Sequence, residues 1–344
     1  MVAPVVTPKQ NLGLETIGRT FRQLKEHAAT TFGTAGILCI PLAFVGVITA
    51  LRPGIGSTFL QFAVGGILGL WVAYATVVAV AMYSEGQDPG VGGLLRRSLS
   101  AGLVRYGFTS LLFNLVAGLV ALLTLIPFFM SLASVNIERL LRFQLAEGDI
   151  VRIVLGLLLS LPLLFFALLF TYLRLGLSPT ASALEGTGPG ASLGRSWQAT
   201  RGHMWEFFVL TLLSVLITAA ISFFVSGPAA MVSFRPAPPA GGELFSPEVM
   251  QEQMFGRELG PVEAVITGIS AYLTSVLLTP FSAALLANFF LLLRNPPEDV
   301  STERKRMVPL QSPEAEAPTT SEAERPSRQE PPEHPPVPDT PASG

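Results

Sequence analysis

Charge is what this sequence has least of. Lys, Arg, Asp and Glu make up 13% of the 344 residues, apolar residues make up 50%, and mean hydropathy is +0.53. Charged residues are roughly a quarter of an ordinary soluble domain, so these figures argue against one. A single cysteine, Cys39, excludes an internal disulfide and any thiolate zinc cluster. Only three histidines are present, and no His-x-x-x-His or Walker pattern occurs. The composition therefore points to no metal and no cofactor. A net charge of −2 lacks the basic excess of a nucleic-acid binder. What remains is an integral membrane protein.

Six stretches carry no Asp, Glu, Lys, Arg or His and are long enough to span: 28–51, 53–84, 106–137, 153–173, 207–234 and 264–293. A spanning helix needs about 20 apolar residues, because hydrocarbon is about 30 Å thick. The stretches are rich in Leu, Ala, Val and Phe without alternation, so helices are expected rather than a barrel. Pro41, Pro127, Pro162 and Pro280 fall inside them and should kink the helices they interrupt. The first stretch follows a long polar segment and lacks a good cleavage site, so it is read as an uncleaved helix. With a cytoplasmic N-terminus, sixteen of the 22 lysines and arginines fall on the inner side. That bias places both termini on the cytoplasmic side of the membrane.

The segment 295–344 differs in kind, with twelve prolines, ten acids and no Phe, Tyr or Trp. It is expected to be a disordered cytoplasmic tail, and its Pro-rich runs are the place for a protein partner. Residues 1–13 form an N-terminal segment, and 14–294 the membrane domain.

Within that domain a pattern recurs. Glu85-Gly86-Gln87-Asp88-Pro89-Gly90 returns as Glu185-Gly186-Thr187-Gly188-Pro189-Gly190. A pentad follows each turn, Leu95-Arg96-Arg97-Ser98-Leu99 and Leu193-Gly194-Arg195-Ser196-Trp197, and a third copy, Ile17-Gly18-Arg19-Thr20-Phe21, precedes the first span. Leu14, Ile17, Phe21, Leu24 and Ala28 repeat at helical spacing, as do Leu193, Trp197, Met204 and Phe208. These segments read as amphipathic helices lying on the membrane, with Trp197 and Trp205 at the interface. The expected architecture is therefore all-α. It has six transmembrane helices, three cytoplasmic-side interfacial helices and a threefold repeat over 14–83, 91–178 and 191–294. Glycine and proline suit Gly90, Pro89, Gly190 and Pro189 to turns, and Glu85 and Glu185 are expected to pair with a nearby arginine. Arg19, Arg97 and Arg195 are the candidates for contact with lipid headgroups. Gly65-x-x-x-Gly69 is a close-packing signature, within the bundle or in a homo-oligomer. Asn114 and Asn288 are expected to hydrogen-bond between helices. An outer helix beginning near Ser246-Pro247-Glu248 completes the scheme.

Ser178-Pro179-Thr180 through Glu185-Gly186, Gly194-Arg195-Ser196-Trp197 through Met204-Trp205, and Pro280-Phe281-Ser282-Ala283-Ala284-Leu285 ending at Leu293-Arg294 carry a family likeness. Over about residues 12–294 the chain resembles the bacterial membrane domain attached to some glycerophosphodiester phosphodiesterases, and related stand-alone membrane proteins of unknown function. The resemblance implies a polytopic membrane module. It carries over no catalytic residue, because the family's chemistry sits in a separate soluble barrel. The expected function is that of a non-enzymatic scaffold or accessory module in contact with membrane lipids. The alternative is a transporter or lipid-handling protein for an apolar or lipid-like substrate, marked by a cavity between the hairpins.

Overall fold

The computed structural model describes residues 12–135, 147–233 and 259–294, and among them the regular elements are all α-helices. They are α1 (Leu12–Glu26), α2 (Ala28–Leu51), α3 (Ile55–Ser84), α4 (Gly90–Ser98), α5 (Ala101–Thr124), α6 (Ile126–Ala133), α7 (Glu147–Leu175), α8 (Ser178–Glu185), α9 (Pro189–Ala199), α10 (Met204–Ser233) and α11 (Pro261–Arg294). Six of these, α2, α3, α5, α7, α10 and α11, are long and apolar enough to cross a bilayer. The protein is an all-α polytopic membrane protein. The outer helix expected near Ser246 and the tail 295–344 lie outside the described residues.

One window is divided. The 106–137 stretch breaks at Leu125, and Pro127 stands in the first turn of the separate helix α6. Pro127 therefore starts a helix instead of kinking one, because a missing N–H costs nothing where no intrahelical acceptor exists. The next free amide, Phe128 N–H, donates to Ser160 Oγ of α7 at 3.1 Å and fastens α6 to that span. Pro41, Pro162 and Pro280 do lie inside helices. The short helix α8 has no counterpart in the sequence reading. Pro179 stands in its first turn, its Ser178, Thr180, Ala181 and Ser182 are buried, and left-handed Gly186 (φ 67°) ends it.

The apolar core lies toward one end of the long helices, where the short helices α1, α4, α8 and α9 also sit. One cluster joins Leu24 of α1, Val77 and Val80 of α3, Tyr106 of α5 and Phe281 to Ala287 of α11. Another joins Leu173 of α7, Leu177, Ala181 of α8, Phe207 and Leu210 of α10 and Phe289 of α11. Away from this end Leu115, Leu119, Leu122 and Phe224 are more than half exposed, as side chains facing acyl chains would be. The last span, α11, has buried residues at intervals from Ala264 to Leu292 and packs on α1, α2, α3 and α10.

The closest crossing is that of the first and last spans. A Cβ added at Gly268 would stand 2.6 Å from Val47 Cγ2 and 2.7 Å from the Ala43 carbonyl oxygen, and one at Gly46 would stand 3.1 Å from Gly268 Cα. Small residues let backbones approach where no water drives association. By contrast, Gly65 would meet only Leu42 Cδ1 at 3.5 Å, and nothing lies within 4 Å of Gly69. The expected close packing at Gly65-x-x-x-Gly69 is thus not formed among the described residues. Gly268→Val should lower stability by roughly 1–3 kcal/mol through overpacking, while Gly69→Ala should leave it unchanged. Thermal unfolding of both variants in detergent checks this contrast.

Candidate functional site

The three pentads share one structural position. Thr20, Ser98 and Ser196, the fourth residue of each, are all completely buried. Each hydroxyl is also bonded to a spanning helix. Asn288 Nδ2 of α11 donates to Thr20 Oγ1 at 3.1 Å. Trp71 Nε1 of α3 donates to Ser98 Oγ at 2.9 Å. Ser196 Oγ donates to the Arg174 carbonyl of α7 at 2.8 Å. The short helices α1, α4 and α9 are therefore fastened by neutral hydroxyls, which bury more cheaply than charges. Each such bond contributes about 1 kcal/mol net, and its loss leaves a buried partner unsatisfied. Asn288 also donates to Gln23 Oε1 at 2.8 Å, so it joins α11 to α1. Asn114 stays within its own helix, donating to the Ser110 carbonyl.

This docking divides the apolar stripe of α1. Ile17 and Leu24 pack on the core, but Leu14 and Phe21 are 62% and 50% exposed. The inward face is Gly13, Thr16, Thr20 and Leu24. Trp197 of α9 is likewise half exposed, and Trp205 lies open while stacking on Phe208 at 5.3 Å.

The two Glu-Gly-x-x-Pro-Gly turns are held differently. In the second, Arg195 Nε donates to both oxygens of Glu185 at 3.1 Å. The pair is partly exposed and contributes about 0–1 kcal/mol. In the first, Glu85 meets only Gln87, and Arg97 Nη1 reaches Met82 Sδ at 3.2 Å. The expected pairing of Glu85 with an arginine is not formed among the described residues. Pro89 and left-handed Gly90 (φ 62°) lead into α4, whereas Pro189 and Gly190 are already helical in α9.

Asp88 fastens the first turn instead. Its Oδ1 accepts from the Gly90 N–H at 3.0 Å and from Thr30 Oγ1 of α2 at 3.1 Å, and its Oδ2 lies 3.0 Å from His27 Nδ1. The His27 ring stacks on Tyr83 at 3.8 Å. The Gly90 amide above all, then His27, holds the Asp88 carboxyl below its ordinary range. Asp88 stands where the other copy has Gly188, so it lies outside the residues the two turns share.

Of the three candidate arginines, Arg97 and Arg195 are exposed and Arg19 is partly buried. Arg195 is the one with a carboxylate partner; neither Arg19 nor Arg97 has one among the described residues. Arg174 lies at the same end, its guanidinium 4.8 Å from the Trp197 ring centre and 5.7 Å from that of Phe170, an arrangement that favours a cation. Among the described residues no three His, Cys, Asp or Glu side chains lie together as metal ligands would. Comparison of the chain with protein-family models, curated proteins and solved structures gives no match.

A lowered native pKa means that Asp88 stabilises the fold above the ordinary carboxylate range and loses that contribution as pH falls through its native pKa. Asp88→Asn should therefore be less stable than the parent at pH 7. The difference should shrink below about pH 4, where an unfolded aspartate protonates, and then close. Thermal unfolding in detergent across this range measures it, and a difference that grows toward low pH would have the wrong sign.

Proposed function

We propose that the protein is a non-enzymatic accessory or scaffold module of a bacterial inner membrane that engages lipid headgroups at its cytoplasmic face. The observation that carries this reading is the common docking of α1, α4 and α9. Each buries its pentad hydroxyl, while the neighbouring Arg97 and Arg195 are exposed and Arg19 is partly so. Two spans separate α1 from α4 and α4 from α9, so in a membrane all three surface helices meet the same leaflet. The excess of Lys and Arg assigns that side, and with it both termini, to the cytoplasm. The likeness to the membrane domain of glycerophosphodiester phosphodiesterases supports a membrane module without catalytic residues of its own.

The same bonds support three units, 14–83, 91–178 and 191–294, closed in a ring. The surface helix of the second is tied to α3 of the first, that of the third to α7 of the second, and that of the first to α11 of the third. The cations at this face include Arg22, Lys25 and Arg96, all exposed. Each basic residue near an anionic surface contributes about 1 kcal/mol. Glu185 offsets part of that at Arg195.

Replacing Arg19, Arg97 and Arg195 together by Ala should remove most of the stabilisation gained on adding phosphatidylglycerol to phosphatidylcholine nanodiscs. Arg195→Ala alone should give the smallest effect. The measurement is the shift in unfolding temperature, and an equal shift in parent and triple variant would refute headgroup contact at these residues.

A further inference from the structure

A cavity of about 690 Å³ opens among α7, α10 and α11. That is the size of a site for a ligand of several hundred daltons. Tyr172 and Phe207, stacked at 5.9 Å, line it, and Phe207 stacks in turn on the buried Phe289 at 5.2 Å. No charged side chain lines it. The rim residues Phe165 and Val215 are 61% and 57% exposed, so between α7 and α10 the groove is open to the hydrocarbon around the protein.

One feature separates this groove from an ordinary gap between helices. Thr211, Ser214, Thr218 and Ser222 form a stripe along α10 at helical spacing, and Ser282 of α11 joins them on the wall. None of these five hydroxyls makes a hydrogen bond among the described residues, and Thr211 Oγ1 is buried without a partner there. Elsewhere in the spans, Thr34, Thr76, Thr109 and Thr171 each donate to the carbonyl one turn back. A buried hydroxyl without a partner is costly. Thr211 Oγ1 is in that position, and together with four further unbonded hydroxyls facing the same uncharged space it calls for an occupant with neutral hydrogen-bonding atoms and a long apolar body.

Depth narrows the class. Thr211 lies seven residues in from Met204, where α10 begins beside the exposed Trp205, or roughly 10 Å along the helix axis. Ionised phosphate stays above that depth. Ester carbonyls and the chains attached to them reach it.

We infer that this groove binds one acyl chain and ester linkage of a glycerolipid drawn from the bilayer. The site is independent of the arginines at the membrane surface. It reads ester and chain, not headgroup, so diacylglycerol and phospholipid are equivalent ligands.

The test uses the full chain in phosphatidylcholine nanodiscs containing a trace of glycerolipid with a diazirine on one acyl chain. Labelled peptides are mapped by mass spectrometry. Labelling should concentrate on α10 and α11, and Ala219→Trp, placed at the groove, should reduce it at least fivefold. Diacylglycerol and phosphatidylglycerol probes should label alike. An ether-linked probe, lacking the carbonyl, should label several-fold less than its ester counterpart. The near-isosteric triple change Thr211→Val, Ser214→Ala, Ser282→Ala should abolish that ester preference, and it carries the test if Ala219→Trp fails to fold. Labelling spread evenly over lipid-facing helices, with no response to either variant, would mean ordinary surrounding lipid and overturn the assignment. So would labelling by the phospholipid alone, or an Ala219→Trp effect on dimer formation instead of labelling.

Discussion

Hydrocarbon does not tolerate unpaired charge, and every level of this structure follows from that exclusion. It leaves long uncharged stretches to cross the bilayer, and it forces their backbones into helices. It also sends Lys and Arg to the ends, where the short helices α1, α4 and α9 carry Arg19, Arg22, Lys25, Arg96, Arg97 and Arg195. Where those helices must still touch the bundle, the contact is made by Thr20, Ser98 and Ser196, which hydrogen-bond without bringing charge inside.

The packing is unequal along the bundle for the same reason. Near the short helices, hydroxyl bonds, aromatic stacks and the Asp88 turn draw the elements together. Farther along, α5, α7 and α10 present Leu and Phe to lipid, and lipid solvates these as well as protein does. There α10 and α11 are joined where Ser270 Oγ donates to the Val225 carbonyl at 3.0 Å, but among the described residues no hydrogen bond joins α7 to α10, and the groove opens between those two. At α2 against α11, Gly46 and Gly268 permit backbone contact and hold the first and last spans together.

The class of fold was legible because absence of charge over twenty residues is a strong signal. The six helices lie within a few residues of the six charge-free stretches, except where Pro127 opens α6 and divides the third. The finer contacts were less legible. In the pentads the arginines drew attention, but the buried residue is the neighbouring hydroxyl, because a serine or threonine looks alike in sequence whether it faces lipid or a partner. Asp88 was hidden by the repeat itself, since its counterpart is Gly188. The close crossing uses Gly46 and Gly268, 222 residues apart, whereas local spacing favoured Gly65 and Gly69. Long-range pairing leaves no mark on a local pattern. The stripe Thr211, Ser214, Thr218 and Ser222 does have a helical period, yet its meaning depends on α7 and α11 standing opposite.

The account as a whole requires α1, α4 and α9 to share one membrane surface. Membrane-impermeant thiol labelling tests this directly. In a chain with Cys39→Ala, single changes Arg19→Cys, Arg97→Cys and Arg195→Cys are probed in sealed right-side-out vesicles and again after inversion. All three positions should react only when the cytoplasmic face is outward. One position reacting from the opposite face would contradict the shared surface, and with it the common docking from which the function is read.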